Sequence, residues 1–374
     1  MIGGVRIARF FGFEVRLDLS WFVVFLLVLW TFAQSIFPAR RPGLSSSEYV
    51  AMATVGALLF FASVLLHELA HSAMARARGI EVEGITLFIF GGVARIRSEA
   101  TNPKDEFLIT VVGPLSSALI GVAFLVFAWA GQALGASRAV VGVAEYLAIL
   151  NFVLAAFNLI PGFPLDGGRL FRSLVWHVTK DVRKATRWAS LSGRGFGFLM
   201  IGLGLVNLFG GYIVAGMWLI FIGWFLSQAA EASYRQLVLR RILEGVQVRE
   251  AMTRNPETVS PDLPLRDLVD DRFLRRRYSA FPVADVDGQP LGLITLRQVK
   301  EIERDKWPTT PVSSAMTRIC EAVTVRPDDS LAQVVAKLES ADVGRALVVQ
   351  DTRLVGLISR ADVAAWLDRY QQLH

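Results

Sequence analysis

The chain has 374 residues, 53% of them hydrophobic, with mean hydropathy +0.46, a formal net charge of +6 and a pI near 9.7. It is too apolar for an ordinary soluble enzyme and long enough for more than one domain, so composition points to a membrane protein with a soluble part attached. The arginines are spread over loops between apolar runs and form no basic stripe interleaved with aromatics, which argues against a nucleic-acid binder. The single cysteine, Cys320, rules out an intramolecular disulfide and a cysteine-built zinc site, and it permits a reduced cytosolic setting.

Six apolar runs, each near the ~20 residues that cross a bilayer, divide the first part of the chain. They cover residues 19–37, 49–75, 107–130, 143–160, 191–209 and 212–226. The first is longer than a signal-peptide core and reads as a retained anchor. The last two are short and parted only by Gly210-Gly211, which predicts a tight helical hairpin. With the N-terminus in the cytosol, Arg6, Arg9, Arg16, Arg76, Arg78, Arg95, Arg97, Lys104, Arg169, Arg172, Lys180, Arg183, Lys184 and Arg187 lie inside, and only Arg40, Arg41 and Arg138 lie outside. The positive-inside rule selects that orientation, and an even number of spans returns the chain to the cytosol after Leu226. The expected location is the cell (plasma) membrane, with both the N-terminus and the C-terminal part cytosolic.

The second run carries His67-Glu68-Leu69-Ala70-His71 near its cytosolic end. Two histidines four apart share one helix face, and with the intervening glutamate they form the H-E-x-x-H arrangement that holds a zinc ion and its base. Ionisable side chains inside a membrane span are expensive and mark function. A catalytic zinc takes three protein ligands, so a third is needed. The fourth run ends in Asn158-Leu159-Ile160-Pro161-Gly162-Phe163-Pro164-Leu165-Asp166-Gly167-Gly168, where prolines and glycines stop the helix and place Asp166 at its end, on the same side of the membrane as the histidines. Asp166 is the leading third ligand and His177 its rival. Between the second and third runs, residues 84–96 are rich in β-branched and aromatic residues, are broken by Gly91-Gly92, and are too short to cross, which predicts an interfacial hairpin. Its edge either clamps an unwound substrate by strand addition or simply packs over the site.

The pairing of His67-Glu68-x-x-His71 with Asn158-x-x-Pro161-x-x-Pro164-x-Asp166-Gly167 resembles the site-two protease family of intramembrane zinc metalloproteases, over roughly residues 6–226. Phe90-Gly91-Gly92-Val93-Ala94 and Gly113-Pro114 also look like family features. The resemblance implies zinc ligands His67, His71 and Asp166, Glu68 as catalytic acid and base, and Asn158 as a neighbour contacting substrate or oxyanion. The chemistry fits: zinc brings the pKa of its water from roughly 15.7 to about 7, Glu68 takes and returns the proton, and the reaction is peptide-bond hydrolysis in or near the transmembrane segment of a membrane-protein substrate.

After Leu226 the sequence turns charged and mixed, with a connecting helix expected over 231–244. An internal repeat follows: Ala251-Met252-Thr253-Arg254 recurs as Ala315-Met316-Thr317-Arg318, and Gly292-Leu293-Ile294-Thr295 as Gly356-Leu357-Ile358-Ser359, both at an offset of 64. This looks like a tandem CBS pair, which implies binding of an adenine nucleotide (ATP, ADP or AMP) that regulates the attached protein, or a homo-oligomer contact. In that family a Ser or Thr after the Gly-apolar segment and an Asp three residues on resemble the phosphate and ribose contacts. The second copy has Ser359 and Asp362, whereas the first has Thr295 with Gln298 in place of the aspartate, which predicts one principal site. Arg275-Arg276-Arg277 reads as a solvated face rather than a phosphate site.

The fold class is therefore a multi-pass α-helical membrane protein of about six spans with a short membrane-associated β-hairpin, plus a soluble α/β CBS pair. The expected domains are 1–228 protease, 229–245 linker helix, 246–308 first CBS domain and 309–374 second. The competing reading is a CBS-regulated transporter or channel in which His67, Glu68 and Asp166 line an ion path, and the ordered H-E-x-x-H with its aspartate argues against it. Retention of Glu68 and all three ligands argues against an inactive client-binding relative.

Overall fold

The computed structural model of the protein describes residues 5–10, 12–88, 91–96, 100–276, 278–320, 322–340 and 344–373. Of the residues singled out above, Ile89, Phe90, Arg97 and Arg277 lie outside the described residues. The chain divides into two units, Met1–Gln236 and Leu237–His374.

The first unit opens with two strands the sequence reading did not anticipate, β1 (Val5–Phe10) and β2 (Phe13–Leu17). Along β2 the apolar Phe13, Val15 and Leu17 alternate inward, the period of a half-buried strand. The expected hairpin forms as β3 (Val82–Phe88) and β4 (Gly91–Ile96). It is not isolated: β3 pairs parallel with β2, giving a four-stranded sheet in the order β1-β2-β3-β4 with β4 at one edge. Phe13, Leu17, Ile85 and Leu87 pack with Leu69, and Leu65 lies against them, which fixes the sheet on the helix that bears the histidines.

Between β2 and β3 run α1 (Leu19–Thr31), a π turn over Phe32–Ile36, α2 (Phe37–Arg40) and α3 (Ser46–Ala77). The Asp18 carboxylate caps α1, accepting from the Ser20 N–H and hydroxyl. Ser45 and Glu48 form a capping box at the start of α3. Then come α4 (Pro103–Ala133), α5 (Arg138–Asn158), α6 (Asp166–Thr179), α7 (Val182–Phe209) and α8 (Ile213–Glu244). Six helical stretches are long and apolar enough to cross a membrane: 19–40 and α3, α4, α5, α7 and α8. All six expected runs lie on them, except that Leu159, Ile160 and Tyr212 fall just outside the helices.

Two local expectations are corrected, and a third is met. Asp166 does not end the fourth span; it is the first residue of α6, a separate amphipathic helix where a turn was expected. Gly167 and Gly168 allow this, because a Cβ on them would lie 2.2 Å from the Ile160 carbonyl oxygen and 2.4 Å from the Phe163 nitrogen. The helix therefore starts folded back on residues 159–163. The expected connecting helix 231–244 is no separate element but the continuation of the last span within α8. The hairpin of α7 and α8 does form, through Gly211 at φ 88°, and the two helices meet glycine to backbone: a Cβ on Gly197 would lie 2.6 Å from the Gly223 carbonyl oxygen, and one on Gly204 2.8 Å from that of Gly216.

The second unit contains, after the end of α8, α9 (Val248–Ala251), β5 (Thr253–Arg254), α10 (Leu265–Asp267), β6 (Ala280–Ala284), β7 (Pro290–Thr295) and α11 (Leu296–Lys300). The second copy supplies α12 (Val312–Ala315), β8 (Thr317–Arg318), β9 (Thr324–Val325), α13 (Leu331–Ser340), β10 (Arg345–Gln350), β11 (Arg353–Ser359) and α14 (Arg360–Leu373). The copies exchange short strands: β5 of the first pairs with β11 of the second, and β8 of the second pairs with β7 of the first. The apolar cores are shared in the same way: the one around Leu265, Phe281 and Ile294 takes in Val312 of the second copy, and the one around Leu331, Val348 and Ile358 takes in Val248 and Ala251 of the first.

Candidate metal centre and cleft of the repeat

His67 and His71 lie one turn apart on α3, both buried, and Asp166 enters from the first turn of α6. The Nε2 atoms of His67 and His71 lie 3.1 and 3.2 Å from Asp166 Oδ2 and 3.2 Å from each other. Each residue thus offers one ligand atom to a single point, all within 4.8 Å of one another. The outer ring nitrogens are held in place. His71 Nδ1 donates to the Ile109 carbonyl at 2.7 Å; a carbonyl only accepts, so this bond leaves Nε2 as the lone-pair nitrogen of a neutral ring. His67 Nδ1 lies 2.8 Å from the Ser117 hydroxyl. Orientation of metal-binding histidines through the far nitrogen is the usual way such ligands are fixed.

Space for an ion comes from a glycine. A Cβ on Gly113 would sit 2.1 Å from His71 Nε2 and 2.8 Å from His67 Nε2, in the cradle where the ligand atoms converge. Two imidazoles and a carboxylate with these outer bonds form a donor set suited to zinc, with a fourth position left for water or substrate. Glu68, half-buried beside them, lies against the β4 edge: a Cβ on Gly92 would meet its Cγ at 2.3 Å, and the Gly92 backbone hydrogen-bonds its carboxylate. Gly92 and Gly113, noted in the sequence only as parts of segments, are thus two places among the described residues where a backbone approaches this site with no side chain between.

The seat of Asp166 is secured by an ion pair that sequence reasoning missed. Arg172 on α6 donates through Nε to buried Glu106 on α4 at 2.6 Å, and Arg169 Nε lies 3.9 Å from the same oxygen. Arg172 lies six residues after Asp166 on the same helix and its partner Glu106 is 66 residues away in sequence, so only the spacing of a basic pair along an amphipathic helix hinted at it. His177, the rival ligand, is exposed in the last turn of α6 and does not belong to the cluster. Asn158, the last residue of α5, donates one amide N–H to the Leu154 carbonyl at 3.1 Å. A different asparagine on α5, Asn151, is fully buried and reaches the Ser63 hydroxyl at 3.3 Å, tying α5 to α3 one turn before His67.

In the second unit a cleft of about 270 Å³ is lined by Thr253, Arg254, Glu257, Arg345, Ser359 and Asp362 among others. It joins the β5 end of the first copy to the β11 end of the second. Asp362 Oδ2 accepts from the Ser359 N–H at 2.8 Å and its hydroxyl at 2.6 Å, and Arg345 donates across the cleft to the Ser279 hydroxyl. At the equivalent place in the first copy, Gln298 Oε1 accepts from the Thr295 N–H and hydroxyl, while its Nε2 donates to Thr317 Oγ1 at 2.5 Å. Thr295 and Gln298 do not line the cleft. Arg275 and Arg276 lie outside it too, paired with Asp271 at 3.3 Å and Glu257 at 3.4 Å.

Residues 55–203 match peptidase family M50, and residues 248–305 and 312–369 each match the CBS domain. Rip3 of Mycobacterium tuberculosis, which carries a zinc metalloprotease name, is 35% identical over 99% of this chain and 94% of its own. Zinc metalloprotease MJ0392 of Methanocaldococcus jannaschii is 28% identical over 96% of this chain and 94% of its own. The solved site-2 protease of Methanocaldococcus jannaschii is 27% identical, covering 62% of this chain and 95% of that one with a TM-score of 0.42. Likeness along the full length of such relatives, with an H-E-x-x-H pair and an aspartate drawn to one point, makes this chain a multi-pass membrane zinc metalloprotease of peptidase family M50, of the site-2 protease kind, that ends in a pair of CBS domains.

Proposed function

We propose that the protein cuts membrane-protein substrates in or near a transmembrane segment, with His67, His71 and Asp166 as zinc ligands and Glu68 as the catalytic base. The convergence of the two Nε2 atoms and Asp166 Oδ2, with Glu68 one residue away against the β4 edge, carries this reading. Zinc, when bound, polarises the scissile carbonyl and acidifies water. Glu68 accepts the proton of the attacking water and returns it to the departing amine. The outer edge of β4 offers unpaired backbone groups to the stretched substrate, replacing the helical hydrogen bonds the substrate gives up, and Gly92 lets that strand lie directly over Glu68. Asn158 keeps a second amide N–H beyond its bond to Leu154, and that N–H is the one available to a developing oxyanion.

The positive-inside distribution supports a cytosolic N-terminus and a cytosolic CBS pair in the plasma membrane, as does the even number of candidate spans. The CBS pair takes one adenine nucleotide, at the cleft containing Ser359 and Asp362, and regulates the protease; a homo-oligomer contact through the same domains is the second role for this pair. Asp362 retains a carboxylate oxygen for a ribose diol, whereas the Gln298 side chain is spent at both ends.

The test is incubation of the purified protein with single-span substrates, with and without a zinc chelator. Cleavage within or beside the span that the chelator abolishes and added zinc restores is expected. Cleavage that survives chelation would refute the reading, and chelator-sensitive ion flux in sealed vesicles without cleavage would favour the transporter.

A further inference from the structure

The membrane unit has a second concavity, far from the metal centre. A half-open groove of about 350 Å³ runs between the first half of α3, the second half of α4 and the first half of α5. Its walls are hydrocarbon and aromatic, including Ala51, Val55, Leu59, Phe127, Val140 and Val143, and its one charged lining residue is Glu48. The Glu48 carboxylate is occupied by the Ser45 N–H and hydroxyl, at 2.7 Å each, and marks the polar end of the groove. Glu48 precedes His67 by 19 residues of one helix, about 28 Å at 1.5 Å per residue, so the groove opens to the leaflet opposite the metal centre.

Three occupants suit an apolar groove in a bilayer, and polarity and charge separate them. An apolar substrate helix or an apolar helix of a second copy would cover these walls but bring no anion to an arginine at their end. Water finds too few polar partners on these walls. A lone acyl chain is narrow enough to enter and gives the lining atoms the dispersion contacts that an empty groove forfeits. Charge supplies the other end: Arg138, next to the lining residues Ala139 and Val140, is exposed and makes no hydrogen bond or ion pair among the described residues. Arg41, which lies against Gly142 of the same helix, is already committed to Glu145. We propose that the groove between α3, α4 and α5 is a phospholipid site, holding one acyl chain along Ala51, Val55 and Val140 with the headgroup phosphate on Arg138.

The experiment is native mass spectrometry of the full-length protein in detergent, titrated with dioleoylphosphatidylglycerol. One lipid should survive detergent washing in the wild type. Ala51→Trp and Val140→Trp, which lay a ring into the groove from exposed positions, should lower its retention at least tenfold with unchanged zinc content and circular dichroism. Arg138→Ala should lower it several-fold, and Leu58→Trp, exposed on α3 but outside the groove, should leave it alone. Equal retention in the wild type and both groove variants, or an equal loss in Leu58→Trp, overturns the site. A dimer that dissolves in Ala51→Trp would give the groove to a second copy instead. Diolein retained as well as the phospholipid would overturn the Arg138 contact.

Discussion

In the membrane unit three candidate ligand atoms converge within 4.8 Å and their neighbours hold them there, whereas in the C-terminal unit two copies of one fold face each other and the proposed nucleotide cleft draws on residues in which they differ. The first design leaves little room for change: Ile109 and Ser117 fix the imidazoles, Arg172 and Glu106 fix the helix bearing Asp166, and Gly92 and Gly113 keep backbone close. The second tolerates drift, since one copy can lose its carboxylate while the other keeps it. The strand pairs Ala280 with Thr295 and Arg345 with Ser359 place an alanine in the first copy where the second has an arginine aimed across the cleft. Substitutions at the metal centre should therefore be severe and unlike one another in kind, and those in the cleft milder and unequal between copies.

The largest effect is expected from Glu68→Gln. The amide keeps the size and the contact with Gly92 but cannot accept a proton, so cleavage should fall by about a thousandfold, within the ~10²–10⁴ that a general base contributes. Zinc measured by atomic absorption should stay at one per chain. Near wild-type cleavage would remove Glu68 from the mechanism. Asp166→Ala breaks the site in another way, losing zinc and activity together, whereas His177→Ala should change neither because that ring is exposed at the far end of α6. Zinc retained in the first variant and lost in the second would reverse the assignment. Ser117→Ala is smaller again: removing the hydroxyl at His67 Nδ1 should weaken zinc binding by ~10-fold, the lower end of what such outer contacts contribute, with the fold intact. Competition with a chromophoric chelator measures it, and unchanged affinity would show that packing alone orients His67.

The same contrast explains what the sequence revealed. His67, Glu68 and His71 were legible because their relation is local, one helical turn, and because charge inside an apolar run is conspicuous. Asp166 was legible through its proline and glycine surroundings, but the helix it begins was not: Gly167-Gly168 reads as a breaker, and only close packing on residues 159–163 shows that those glycines are needed for a helix to start there. The strands β1 and β2 were hidden for another reason. Arg6, Arg9 and Arg16 read as topology signals, which masked the alternation of Phe13, Val15 and Leu17. Ser117 lies 50 residues from His67 and gives no local sign of its partner. In the second unit, the offset of 64 exposed both the pairing of the copies and the Gln298 substitution, but the exchange of β5 and β8 between copies, which decides which residues share a cleft, has no sequence signature.

A loss of similar size in the other unit is the sharpest test of the asymmetry between copies. Asp362 offers a carboxylate on the cleft wall, and hydrogen bonds to a charged acceptor contribute about 1.5–3 kcal/mol against about 0.5–1.5 for a neutral one. Replacing it should therefore cost at least ~1.4 kcal/mol, a factor of ten in affinity. Titration calorimetry of the full-length protein with AMP, ADP and ATP should give one site per chain, weakened about tenfold or more by Asp362→Ala and left unchanged by Gln298→Ala, because the Gln298 amide is bound to Thr295 and Thr317. The converse variant is the stronger demand. Gln298→Asp releases Thr317 and puts a carboxylate where the first copy lacks one, so the stoichiometry should rise from one toward two. A second site already present in the wild type, or a single site indifferent to Asp362→Ala, would mean that divergence between the copies does not govern binding, and an absence of heat with all three nucleotides would leave the pair a subunit contact.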